Sequence, residues 1–273
     1  MTTIWSQQID PGSVLPEYPR PQFRRENWIC LNGPWDYTFT KKSKRPERPD
    51  GQILVPFSPE CLRSGVSRQL RPGEYLWYFR FVYLNAVPEN QRLLLHFGAV
   101  DQRCSVWWNG HLLGKNENGY LSFSFDVTDY LQEGNNTLWV RVQDDSDSGS
   151  QSRGKQSFKP HGMFYTAQSG IWQTVWMEWV PENRIESLKI TPLYDESSVR
   201  LEITLTQPQN MEIRMLWNRD SYCHYVEKED FPTGQSKFAG YIPLPDFRPW
   251  SPESPFLTEV QIITNRHGPQ LFR

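Results

Sequence analysis

Ser105-Val106-Trp107-Trp108-Asn109-Gly110-His111-Leu112-Leu113-Gly114 is the stretch on which the fold turns. Asn-Gly stands between two apolar flanks. Both residues of the tightest hairpin loop need positive φ, and Asn and Gly reach it at least cost. The stretch therefore reads as a β-hairpin. The same pattern recurs outward from it. Trp35–Phe39 and Leu121–Phe125 alternate aromatic with polar residues, as does Thr137–Val142 with apolar ones. Leu76–Leu84 is a long aromatic strand, Leu93–Phe97 an apolar one, and Ile171–Val180 is rich in Ile, Trp and Val. Asp126 is placed to cap a single helical turn after the Phe125 strand. The 22 prolines and 17 glycines break the chain at short intervals, and helix-forming runs are scarce. That combination predicts an all-β protein of many short strands.

Pro181-Glu182-Asn183 reads as a boundary, which divides the chain into domains 1–181 and 182–273. Before the first strand, Pro11, Pro16, Pro19 and Pro21 keep the segment up to about Arg25 extended. After the boundary the strand pattern restarts at Ile185–Leu193, Val199–Thr206, Met211–Trp217, Lys237–Ile242 and Phe256–Thr264. Their spacing suits a small immunoglobulin-like β-sandwich. Such a sandwich needs one more strand beside the last. Only Leu271–Arg273 remain to supply it, so this second domain is expected to be truncated at its last strand.

Composition excludes several function classes. The net charge is −2 with bases and acids interspersed, so no basic stripe offers itself to nucleic acid. No segment approaches the ~20 apolar residues that span a bilayer. Met1–Pro16 is polar and lacks a signal-peptide core, so a cytoplasmic location is expected, with no membrane partner. Cys30, Cys61, Cys104 and Cys223 form no CxxC pair and read as structural thiols. Neither a GxGxxG nor a Walker loop, an HExxH, or a GxSxG elbow is present. No cofactor and no metal site is implied. His96, in an apolar strand, reads as a structural histidine. Asp144, Asp145 and Asp147 read as solvated turn acids in a loop, a poor mount for a proton donor. Trp107, Trp139 and Trp176 alternate with other large residues and suit a sandwich core. Adjacent Trp107 and Trp108 must point to opposite faces, so one of them faces outward or lies beneath a loop. Abundant Trp and Tyr also fit stacking against sugar rings.

The order of motifs resembles the front end of family 2 glycoside hydrolases, which include β-galactosidases and β-glucuronidases. The resemblance begins at Tyr18-Pro19-Arg20-Pro21-Gln22, Arg25-Glu26-Asn27-Trp28 and Leu31-Asn32-Gly33-Pro34-Trp35. It continues through Val55-Pro56-Phe57, Ser64-Gly65-Val66 and Leu76-Trp77-Tyr78-Phe79-Arg80. Then come Phe97-Gly98-Ala99-Val100-Asp101, Val106-Trp107-Trp108-Asn109-Gly110 and Phe125-Asp126-Val127-Thr128. Ser169-Gly170-Ile171-Trp172-Gln173-Thr174-Val175-Trp176 closes the set, with Pro249–Pro255 in the second domain.

The resemblance implies a jelly-roll β-sandwich, then an immunoglobulin-like one, then a (β/α)₈ barrel carrying two catalytic glutamates. Here no residues build a barrel and no glutamate matches, so no catalytic residue is carried over. In relatives the first domain sends loops toward the rim of the barrel's active site. By position those loops are Ser67–Glu74 and Arg153–Gln168. Arg68, Arg71, Arg153, Lys155 and Gln156 are their candidate sugar contacts, as charged and amide donors. Some β-galactosidases place an acidic residue near a metal just before the Ser-Gly-Ile block. Tyr165-Thr166-Ala167-Gln168 occupy that stretch here, and the metal site is not carried over.

Three readings follow. The first is the non-catalytic N-terminal part of a family 2 glycoside hydrolase. The second is a free-standing carbohydrate-binding module. The third is an interaction module that recruits a catalytic barrel or another copy of the chain.

Overall fold

The computed structural model describes residues 4, 8–20, 23–217, 220–226, 235–244, 248–264 and 268–272. Two compact units emerge: residues 1–19 with 28–179, and residues 20–27 with 180–273.

The first unit is a sandwich of two main sheets. Its strands are Trp28–Cys30 (β1), Gly33–Thr40 (β2), Gly51–Val55 (β3), Tyr75–Leu84 (β4), Gln91–Phe97 (β5), Val100–Asp101 (β6) and Arg103–Trp108 (β7). They continue as His111–Asn116 (β8), Phe123–Asp126 (β9), Gly134–Gln143 (β10), Gln156–Ser157 (β11), Tyr165–Thr166 (β12), Gly170–Ile171 (β13) and Val175–Pro181 (β14). One sheet runs β1-β14-β5-β9, the other β3-β2-β4-β10-β7-β8. Alternation sets which side chains face inward. Leu76, Tyr78, Val82 and Leu84 of β4 meet Leu138, Val140 and Val142 of β10 and Val106 and Trp108 of β7 in one core. From the facing sheet, Leu93, Leu95, Phe97, Val175 and Met177 complete it.

The hairpin forms as its sequence predicts, with Asn109 and Gly110 at φ 49° and 85°. The Asn109 side chain adds a second function: its Oδ1 accepts the Thr137 amide at 2.7 Å and its Nδ2 donates to Tyr130 O at 2.8 Å. Asp126 accepts the Thr128 amide beside the short 3₁₀ turn Thr128–Tyr130. His96 is buried, as expected of a structural histidine. Its Nδ1 lies 2.5 Å from Ser124 Oγ, its Nε2 lies 3.2 Å from the buried Glu178, and its ring stacks on Trp176. Glu178 also accepts the Tyr18 hydroxyl at 2.8 Å, which pins the extended N-terminal arm to β14.

The second unit contains Ile185–Leu193 (β15), Ser198–Leu205 (β16), Met211–Trp217 (β17), Asp220–Val226 (β18), Lys237–Pro243 (β19), Glu259–Thr264 (β20) and Gly268–Phe272 (β21). A three-stranded sheet, β15-β16-β19, and a four-stranded sheet, β18-β17-β20-β21, share a core. Val199, Leu201, Ile203 and Leu205 on one side and Met211, Ile213, Val260 and Ile262 on the other build it. The expectation of a missing last strand is corrected. Gly268–Phe272 pairs antiparallel with β20 from Val260↔Phe272 to Thr264↔Gly268. In sequence, Gly268-Pro269 has the composition of a turn. In the structure Pro269 lies within β21 opposite Ile263, and β21 has no further neighbour beyond β20 among the described strands. An edge strand is where a proline's lost donor is tolerated.

Candidate functional site

After β3 the chain turns through Pro56–Pro59 and a 3₁₀ turn at Leu62–Ser64, stopped by Gly65 at φ 82°. Glu60 sits in this turn and faces inward. Its Oε1 accepts the Leu70 amide at 3.3 Å and the Ser169 hydroxyl at 2.6 Å, and its Oε2 accepts the Ser169 amide at 3.2 Å. One carboxylate thus fastens loop 67–74 to the end of segment 153–168. Burial pushes the Glu60 carboxyl above its ordinary range, and the bonds from Ser169 and Leu70 oppose that rise.

Two further acids line the same end of the sandwich. Asp101, where β6 ends, accepts Gln156 Nε2 at 3.1 Å. Gln156 Oε1 in turn accepts the Gln168 amide at 2.6 Å, and its Nε2 approaches the Tyr120 hydroxyl at 3.5 Å. Burial raises the Asp101 carboxyl, opposed by Gln156. Asp144 follows β10 and is only 3% exposed. Its Oδ1 accepts the Ser146 amide at 2.6 Å, while Oδ2 is buried without a hydrogen-bond partner among the described residues. Burial first, with the negative charges of Asp101, Glu60 and Asp145 adding to it, pushes Asp144 up to about 7 against the Ser146 amide. The reading of three solvated turn acids is therefore corrected. Asp144 is interior, Asp145 pairs with Arg103, and Asp147 accepts the Ser157 hydroxyl and the Phe158 amide. Polar residues after a strand look alike in sequence whether the following loop folds over them or away.

Gly170 shows why the Ser-Gly-Ile block takes the form it does. Its φ is +77°, and a Cβ there would stand 2.1 Å from the Tyr78 hydroxyl. That hydroxyl accepts the Ile171 amide at 3.2 Å. Only glycine lets the backbone approach the buried tyrosine.

The five sequence-derived contacts divide into two groups. Arg68 is spent within its own loop: it bonds Glu74 at 2.8 Å and lies 3.9 Å over the Phe39 ring. Gln156 is spent on Asp101 and Gln168. Arg153 donates to Gly149 O at 3.1 Å. Arg71 and Lys155 are exposed, and neither side chain has a hydrogen-bond or ion-pair partner among the described residues. Near Lys155, Tyr120 stands edge-on to Trp172, and Leu121, Phe164 and Tyr165 are exposed. Among the described residues no three His, Cys, Asp or Glu side chains are arranged to hold a metal ion, and no helix is long and apolar enough to cross a membrane.

A second feature lies on the outer face of the six-stranded sheet. Trp108 is the inward member of the tryptophan pair, and Trp107 is the outward one. Trp107 stacks on Trp77 with ring centroids 5.4 Å apart. Trp139 stands nearly perpendicular to Trp77 at 6.1 Å. The core placement expected for Trp107 and Trp139 is thus corrected, while Trp176 is buried. The signal was present in β10. Leu138, Val140 and Val142 share one face, so Trp139 had to join Thr137 and Arg141 on the other.

The class defined by these features is an all-β pair of sandwiches, the first with a loop end anchored by buried carboxyls. Residues 68–179 match the family described as glycosyl hydrolase 2 galactose-binding domain-like. The chain is 27% identical over 214 residues to a β-galactosidase of Clostridium acetobutylicum, covering 74% of this chain and 22% of that enzyme. It is 26% identical over 209 residues to the β-galactosidase large subunit of Latilactobacillus sakei, covering 75% of this chain and 30% of that subunit. A β-glucuronidase of Faecalibacterium prausnitzii shares the fold with a TM-score of 0.69 at 22% identity, over 94% of this chain and 47% of that one. The chain thus spans less than a third of the length of these two curated relatives. What it shares with these β-galactosidases is their N-terminal part, which includes the galactose-binding-like domain matched by residues 68–179.

Proposed function

We propose that the chain is the saccharide-recognition front end of a family 2 glycoside hydrolase and that its loop end contributes to the rim of an active site on a catalytic barrel. The observation that carries this reading is the Glu60 bridge, which joins loop 67–74 to Ser169, the residue that follows segment 153–168. Arg71 and Lys155 are the contacts to sugar. Both are cations free to meet hydroxyls or a carboxylate. Arg68, Arg153 and Gln156 shape the loops that carry them. The exposed Leu121, Phe164 and Tyr165 fit a protein surface laid against this end.

The similarity to β-galactosidases and β-glucuronidases selects the probes. Calorimetric titration with methyl β-D-galactopyranoside and methyl β-D-glucuronide is expected to give millimolar binding of at least one. The Arg71→Ala/Lys155→Ala double variant should weaken it about fivefold or more. No binding of either probe at about 50 mM overturns the reading, as does binding indifferent to the double variant. The chain alone is expected to leave 4-nitrophenyl β-D-galactoside and β-D-glucuronide intact.

A further inference from the structure

The outer aromatic face holds a cleft that the loop end does not use. A cavity of about 270 Å³ is lined by Trp77, Trp107, Trp139, Arg45, Ser43 and Gly110. A second of about 150 Å³ shares the Trp77 and Trp139 rings with it, and Asp36, Glu47 and Arg48 add charge to the smaller one. We infer that this cleft is a second saccharide site, which takes an oligosaccharide with a uronic acid ring in the larger cavity and its neighbour in the smaller.

Several observations carry the inference. Trp107, stacked on Trp77, and Trp139, perpendicular to it, are half-exposed, and the ring surface they leave at the cleft fits the apolar side of a pyranose with its hydroxyls at the rim. These rings are held before any ligand arrives. The Arg141 guanidinium lies over Tyr75, Trp77 and Trp107 at 5.3–5.7 Å, and donates to Ser43 O and Ser105 Oγ. It thereby fixes both the aromatic floor and the loop 41–50 that forms the far wall. Trp77 is buried beneath the rings of Trp107 and Trp139 and lines both cavities.

Charge selects the ring. Arg45, 5.2 Å over Trp139, is the one ionisable side chain among the described residues that line the larger cavity, so a carboxylate there gains a partner and meets no acid. In the smaller cavity Asp36, Glu47 and Arg48 offer both acceptors and a donor, which suits hydroxyls.

The site stands independently of the loop-end proposal, and separate variants test each. Titration of the intact chain with glucuronosyl-xylobiose, a trisaccharide with one uronic ring, is expected to give submillimolar to millimolar binding. Trp139→Ala should weaken it tenfold or more, and Arg45→Ala, at an exposed loop position, about threefold to tenfold. Arg71→Ala/Lys155→Ala should leave the Trp139-dependent component in place. Cellotriose should bind at least threefold more weakly than the acidic sugar. Binding unaffected by both Trp139→Ala and Arg45→Ala overturns the site, as does no binding at about 10 mM. Equal affinity for the neutral trisaccharide overturns the acidic assignment. Thermal melting of each variant excludes loss of fold as the cause.

Discussion

The loop end and the outer sheet face of the first unit solve opposite problems. The loop end gathers carboxyls, Glu60, Asp101 and Asp144, into a partly dry wall and uses backbone amides and a glutamine to hold them. The sheet face gathers rings, Trp77, Trp107, Trp139 and Phe79, and covers them with guanidinium groups. One region derives its order from buried polar bonds, each costly to break. The other derives it from stacked area, which tolerates loss of a rim member. A mutation should therefore cost more stability at the loop end, and more binding than stability on the face.

The largest effect is expected at Gly170. Gly170→Ala meets both a positive φ and the Tyr78 hydroxyl, and should destabilise the first unit by about 3 kcal/mol or more in denaturant unfolding. A loss below about 1 kcal/mol would mean that the Tyr78 contact yields easily. Next stands Glu60→Ala, which strips the acceptor from Leu70 and Ser169 at once. A loss of about 2–4 kcal/mol is expected, together with faster amide exchange at Leu70 and Ser169. Unchanged exchange there would break the proposed link between the two loops.

A smaller, pH-dependent effect belongs to Asp144. Its folded pKa, about 7, lies above the unfolded value, so the native state binds the proton more tightly than the unfolded chain. Below pH ~4 both states are protonated and the penalty is absent. It grows as pH rises through the interval between the two values and levels off above pH ~7, because the unfolded carboxyl gives up its proton first. Asp144→Asn should therefore raise the melting temperature at pH 8 by several degrees and change it little at pH 4. Equal effects at both pH values would place the carboxylate in water. The smallest stability effect is expected at Arg45→Ala, within about 0.5 kcal/mol, because the side chain is exposed.

Legibility in the sequence followed the kind of force involved. Alternation and the Asn109-Gly110 turn declared the strands and the two sandwiches, because burial imposes a period on the chain. Alternation also held the outward placement of Trp139, but only when read across all of Thr137–Val142. The last strand was hidden by Gly268-Pro269, which resembles a turn until its edge position is known. The buried carboxyls were not legible. Glu60 meets Ser169 across 109 residues, Asp101 meets Gln156 across 55, and no local pattern encodes such pairs. The ordered motifs did mark both loops, yet could not tell Arg68 and Gln156, whose polar groups are occupied, from Arg71 and Lys155, whose groups are free.

Backbone amide chemical shifts of the isotopically labelled chain, followed while methyl β-D-galactopyranoside or methyl β-D-glucuronide is added, test the central claim most directly. With at least one of these sugars, saturable changes should concentrate at residues 68–74 and 153–156. A spectrum that stays still at those amides for both sugars, through tens of millimolar, would contradict saccharide recognition by the loop end.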